Sequence, residues 1–125
     1  MLRCAVGFVM LATLLPALPA SAQAACSFRG GFAQLQSQIP DRVGTCLADE
    51  SYRPEIGESF QPTSTGALVW HSVDGAISFS DSFHTWVLDP NAQVQVRNVN
   101  ERFAFEFNGD GFPLVGQPAS AVVTG

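Results

Sequence analysis

Two histidines, two tryptophans, three cysteines and a scatter of carboxylates are the residues of this chain that could do chemistry. Nucleophilic catalysis needs a serine or cysteine activated by a neighbouring base, and no Gly-x-Ser-x-Gly elbow is present to present one. A small hydrolase or a metal-dependent cell-wall enzyme would have to draw on His71, His84 and Asp81, brought to one side of a sheet by adjacent strands. A glycosidase would need two carboxylates across a cleft. Asp49, Glu50, Asp74 and Asp81 are available, but they fall where the composition reads as loop or turn, and carboxylates there serve solvation and backbone bonding. No Cys-x-x-Cys or nearby histidine completes a zinc set. Asn108-Gly109-Asp110-Gly111 has the opening of a calcium loop without its later bidentate glutamate, and reads as a turn. No catalytic residue, metal or cofactor is therefore assigned.

A binding surface is the other chemistry open to these residues. Flat rings cover apolar C–H faces while polar neighbours bond hydroxyls or peptide groups. Trp86, His84, Gln95 and Arg97 are the candidates, provided that strand parity puts them on one solvated face. If a helix covers that face instead, Trp86 is a core residue.

The elements that would position these residues can be read from the apolar period. Phe32, Leu35 and Ile39 recur at helical spacing from Gly31 to Ile39, and Pro40 stops the run. Asp49 to Ser59, with Pro54, Gly57 and four acids, reads as a loop. From Ala67 the period becomes two. Asp74-Gly75 between β-rich segments predicts a two-residue hairpin that sets Trp70 opposite Phe79 and His71 opposite Ser78. Leu68, Trp70, Ile77 and Phe79 then form a core face, with His71, Ser78 and Ser80 on the polar one.

A second hairpin turns at Asp89-Pro90-Asn91-Ala92. Its expected register groups Phe83, Val87, Val94 and Val96 on one face and His84, Trp86, Gln93, Gln95 and Arg97 on the other. A bulge or an independent turn is expected at Asp81-Ser82. Phe103, Phe105 and Phe107 alternate with Ala104 and Glu106, which predicts a last strand. The expectation is an α+β domain: a short N-terminal helix, a disulfide-linked loop and an antiparallel β-meander.

The N-terminus sets the compartment. Arg3, the uncharged run from Cys4 to Leu18, and the small residues of Ala20-Ser21-Ala22 and Ala22-Gln23-Ala24 have the layout of a secretory signal, cut after Ala22 or Ala24. Pro16 and Pro19 interrupt the run, which is shorter than a spanning helix needs, so no stable membrane span is expected after processing. A signal peptide over 1–24, one small domain over 25–115 and a flexible tail over 116–125 follow.

Processing leaves five arginines, no lysine and eleven acids, a net charge of −6. Such a chain lacks the clustered basic surface that nucleic acid requires. Cys26 and Cys46 remain, and an even pair in an oxidising compartment reads as a disulfide.

Three stretches have a family look: Gln61-Pro62-Thr63-Ser64-Thr65-Gly66-Ala67-Leu68-Val69-Trp70; Phe79-Ser80-Asp81-Ser82-Phe83-His84-Thr85-Trp86-Val87; and Val94-Gln95-Val96-Arg97-Asn98-Val99-Asn100-Glu101-Arg102-Phe103. Together with Val43-Gly44-Thr45-Cys46-Leu47, they resemble an uncharacterised domain of bacterial exported and surface proteins. That domain carries Gln-x-Thr-x-x-Gly-x-Leu-Val-Trp, Phe-Thr-Asp-Gly-Tyr-x-Thr-Trp and Gln-x-Arg-x-Asn-x-x-Arg-Phe blocks. The chain departs from them at Ser82 and Phe83, in lacking a tryptophan shortly after Asp74, and in the extra Val99. The resemblance implies a secreted or periplasmic, cell-envelope location and supplies no catalytic residue. The expected function is a non-catalytic secreted domain contacting cell-envelope glycan or a protein partner, with the hydrolase or metal-dependent wall enzyme as the alternative.

Overall fold

The structure, a computed structural model, describes residues 26–117. The expected signal segment and residues 118–125 of the expected tail lie outside the described residues. Helical spacing is realised in α1 (Gly30–Gln38), whose Phe32 and Leu35 are buried. The residue before a proline is driven out of the α region, and Ile39 indeed leaves it at φ −133°, ψ 55°. Pro40 does more than stop the helix. It occupies the first position of another helical turn, α2 (Pro40–Val43), where its missing N–H has no bond to lose, and Val43 is fully buried.

Six strands follow: β1 (Ser51–Arg53), β2 (Glu58–Pro62), β3 (Ala67–His71), β4 (Ile77–Ser80), β5 (His84–Leu88) and β6 (Val94–Asn98). They form one antiparallel sheet in chain order, the expected meander. Helical content is small, so the layering is a β-sheet with a single helix laid on it. Phe32, Leu35, Val43, Leu68 and Phe79 form the core, with Trp70, Ile77, Trp86, Leu88 and Val94 packed around them. The helix approaches β4 closely at Gly31, where an added Cβ would press on the end of the Ile77 side chain.

Four expectations are corrected. The stretch read as a loop contains β1 and the first two residues of β2, since Pro54 and Gly57 mark only the turn between them, closed by the Gly57 N–H on the Arg53 carbonyl at 2.9 Å. In the β3–β4 hairpin Trp70 pairs with Ile77, and Leu68 with Phe79, two residues from the expected register. Gly75 has φ 72° but Asp74 does not enter the positive region that a two-residue turn demands of both. The loop spans residues 72–75 instead, with Asp74 Oδ1 accepting the Ala76 N–H at 2.8 Å. A slip of two keeps side-chain parity, so Leu68, Trp70, Ile77 and Phe79 share the core face as expected.

The third correction reverses a face. The Asp89-Pro90-Asn91-Ala92 turn forms, with the Ala92 N–H on the Asp89 carbonyl at 2.8 Å. Ala92 takes φ 62°, the ladder resumes at Gln93, and Trp86 pairs with Val96. Trp86 and His84 therefore share the helix side with Val94 and Val96, whereas Gln95 and Arg97 lie on the reverse side with Thr85 and Val87. Fourth, the run from Phe103 to Phe107 is not a strand. It turns at Phe103–Glu106, where the Glu106 N–H reaches the Phe103 carbonyl at 3.0 Å, and Glu106 points inward to Arg97.

Cys26 and Cys46 form the expected disulfide, with 6.1 Å between their Cα atoms. It ties the entry to α1 to the loop after α2, and that loop bridges to β2 through Cys46 and Thr63. Gln61, fully buried, adds a second tie: its Nε2 donates to the carbonyls of Ser27 and Ala48, each at 3.0 Å. Intact mass should rise by two hydrogen atoms on reduction, and the reduced protein should lose about 3 kcal/mol of stability in denaturant melts. Equal midpoints with and without reductant would show that the crosslink contributes nothing.

Candidate functional site

The residues singled out from sequence are not gathered at one place. Trp86 packs against Phe79 with ring centroids 5.7 Å apart, and the Arg42 guanidinium lies 5.3 Å from its centroid on α2's side. His84 is exposed, its ring 6.0 Å from that of Trp86. Gln95 is on the other side of the sheet, donating from Nε2 to Asp89 Oδ2 at 2.7 Å. Arg97, also on that side, is buried. His71 belongs to the reverse face and His84 to the helix face, and Asp81 is occupied in its turn, accepting the backbone N–H groups of Phe83 and His84. The three do not converge, and among the described residues no group of three metal-ligating side chains is found.

The register assembles a different set. Tyr52 pairs with Ser59, Ser59 with Trp70 and Trp70 with Ile77, so β1 to β4 present one cross-strand row on the helix side. The first turn of α1 lies over its inner end with Gly30 and Gly31, which leave part of Trp70 open. The result is a groove of about 380 Å³ lined by Arg29, Gly30, Gly31, Phe32, Glu50, Ser59, Trp70 and Ile77. Arg29, Glu50 and Ser59 also line a neighbouring hollow of about 370 Å³, together with Ser27, Asp49 and Tyr52.

Tyr52 is 53% exposed at the outer end, and its ring lies 6.3 Å from that of the half-buried Trp70, tilted by 49°. Two rings, two carboxylates, a guanidinium and a hydroxyl thus border one groove: apolar faces to stack on, with acceptors and donors beside them. Sequence reasoning missed Tyr52 because its short strand lay inside a stretch read as loop, and missed the partial exposure of Trp70 because parity alone sends it to the core. A strand of three exposed residues carries no periodic signal of its own.

No family model, curated protein or solved structure matches this chain.

On the reverse face a second cleft, of about 310 Å³, lies among the β1–β2 and β3–β4 turns and the segment after β6. Its polar groups are committed to one another. Arg97 donates from Nε and NH2 to the two oxygens of Glu106, at 2.6 and 2.8 Å, with both side chains only 6% exposed. Glu106 also accepts the Phe103 N–H, and Arg97 donates to the Asn98 carbonyl, so the pair is satisfied on both sides. His71 Nδ1 lies 3.0 Å from Glu58 Oε2, and Arg102 pairs with Asp110 at 3.3 Å. Asp74 Oδ2 accepts the Phe107 N–H. This is the chemistry of a fastening, holding the segment after β6 to the sheet.

Two turn carboxylates respond to acid. Asp81 is held below the ordinary aspartate value by the backbone N–H of His84 and then that of Phe83; Asp89 by the backbone N–H of Gln93 and then the Gln95 side chain. A depressed folded-state value means the native protein binds fewer protons, so this stabilisation is present above the unfolded value and is lost as pH falls through the folded one. The contribution of these two groups to the melting temperature should be constant from neutrality to about pH 5 and decline below about pH 4. The Asp81→Asn/Asp89→Asn protein should show a shallower decline, and an unchanged slope would contradict the assignment. Removing one member of the buried pair, by Arg97→Met, should cost about 3–5 kcal/mol in urea melts, with much of that recovered in Arg97→Met/Glu106→Leu. A double variant no better than the single would show that the pair is more than a neutralised contact.

Proposed function

We propose that this chain is a non-catalytic exported domain that holds a saccharide chain of the cell envelope in the groove between β1, β3 and the start of α1. The observation that carries the reading is the Tyr52–Trp70 pair, one ring exposed and one half-buried, flanked by Arg29, Asp49, Glu50 and Ser59. A pyranose ring offers C–H faces to such rings and hydroxyls to such neighbours. Export is supported by the charge and small-residue layout before Cys26 and by the Cys26–Cys46 disulfide, a bond that persists in oxidising compartments. No helix among the described residues is long and apolar enough to cross a membrane. The resemblance to an exported bacterial domain points to the same location. The binding surface expected around Trp86 moves, in this proposal, to Tyr52 and Trp70, because Arg42 covers a face of Trp86.

Tyr52→Ala tests the groove without opening the core. Titration of the protein with N-acetylated chito-oligosaccharides and soluble peptidoglycan fragments, followed by NMR shifts, should show binding centred on Trp70. Loss of one stacking ring should weaken it about tenfold at an unchanged melting temperature. The control Phe83→Ala, at an exposed turn remote from the groove, should bind as the parent does. Undiminished binding by Tyr52→Ala, or no binding of any glycan tested, would refute the proposal.

A further inference from the structure

The outer edge of β6 carries an interaction surface whose limits are set by the chain's own side chains. In the β5–β6 ladder the odd-numbered residues of β6 face β5: the Gln93 carbonyl accepts the Asp89 N–H, and the Val99 N–H donates to the Phe83 carbonyl. The N–H and C=O groups of even-numbered residues therefore point away from the sheet. At one end the Ala92 carbonyl is taken by Gln38 Nε2 at 3.2 Å. At the other, the Asn98 N–H is taken by Glu101 Oε1 at 3.0 Å and the Asn98 carbonyl by Arg97 at 2.9 Å. Between these caps the backbone groups of Val94 and Val96 remain without partners among the described residues.

Sheet edges are ordinarily guarded by charge, proline, bulges or shortness. The opposite edge follows that rule, since β1 has three residues and runs into Pro54 and Glu55. β6 does not. Its sole charge is Arg97, buried and neutralised by Glu106. Acids outnumber arginines eleven to five among the described residues, and a strand edge without an unpaired charge of its own is one that two copies can share without bringing like charges together. Val96, 50% exposed on the helix side, supplies an apolar contact.

We infer that β6 pairs with β6 of a second copy, antiparallel about a two-fold axis at Gln95. The open stretch is self-complementary about that axis. Val94 of each copy lies opposite Val96 of the other, and their four N–H and four C=O groups satisfy one another in four backbone hydrogen bonds. The caps on Ala92 and Asn98 stop the pairing there, and the two sheets join into one of twelve strands. Gln95 meets its own counterpart at a non-hydrogen-bonded position, where Cα atoms approach to about 4.5 Å.

Sedimentation velocity of the exported protein from about 1 µM to 1 mM should show a monomer–dimer equilibrium. Val96→Pro removes an outward N–H and leaves every bond to β5 intact, so it should remain folded by circular dichroism and lose dimerisation at least tenfold. Gln95→Cys should form a disulfide-linked dimer on mild oxidation, the Cα separation being within the range such bonds accept, while Gln93→Cys should not. Wild-type protein that is monomeric throughout the range overturns the inference. So does a dimer that Val96→Pro leaves intact, or one in which Gln93→Cys crosslinks as readily as Gln95→Cys.

Discussion

A single layer of six short strands presents two faces to water, and one nine-residue helix covers only one of them. The helix face is handled by hydrophobic burial, with Phe32 and Leu35 seated on Leu68 and Phe79. The reverse face carries Ser78, Thr85, Val87 and Arg97, all buried, and has no helix. What closes it is the segment after β6, fastened by Arg97 to Glu106 and by the Phe107 N–H to Asp74. A buried ion pair is a weak source of net stability, because desolvation cancels much of the attraction. It is a strong source of position, since two parallel bonds fix the guanidinium and carboxylate in one orientation. The segment has few buried apolar residues to locate it, and the pair supplies the location.

The parts of this fold legible in the sequence are those where a local signal and the tertiary contact agree. Helical spacing of Phe32 and Leu35 marked α1, and period-two alternation marked β3 to β6. The two-residue slip at Asp74-Gly75 left the core face unchanged because side-chain parity has the same period. Ala92 had no such protection. One non-glycine residue at positive φ shifted the β5–β6 register by one, and that single residue moved Gln95 and Arg97 away from Trp86. No propensity rule singles out an alanine for that role. The last expected strand failed for a different reason: Phe103, Phe105 and Phe107 alternate well, but Glu106 between them has a buried guanidinium to reach, and alternation would have pointed it to solvent.

β1 and β2 were hidden because their composition is set by the turn between them. With three residues, β1 is too short for periodicity to register, and it exists by pairing with β2. Its consequence for the site is large, since Tyr52 reaches the row of Ser59, Trp70 and Ile77 only through that pairing. A candidate site made by cross-strand neighbours cannot be seen before the register is known.

The unequal fates of the two tryptophans follow from what the helical segment places over each. Trp86 lies under Arg42 of α2, whose guanidinium covers a ring face that would otherwise be open. Trp70 lies near Gly30 and Gly31, the first two residues of α1. The two glycines are there for different reasons. At Gly31 a Cβ would press on the end of the Ile77 side chain, which would have to shift, whereas at Gly30 the space is open and the constraint is its φ of 53°. A β-carbon at Gly30 would meet no atom within 4 Å, so the uncovered ring owes nothing to close packing at that position. The opening over Trp70 is instead a product of how the helix begins: a left-handed residue, then a close approach to β4, with no side chain from either to close the groove.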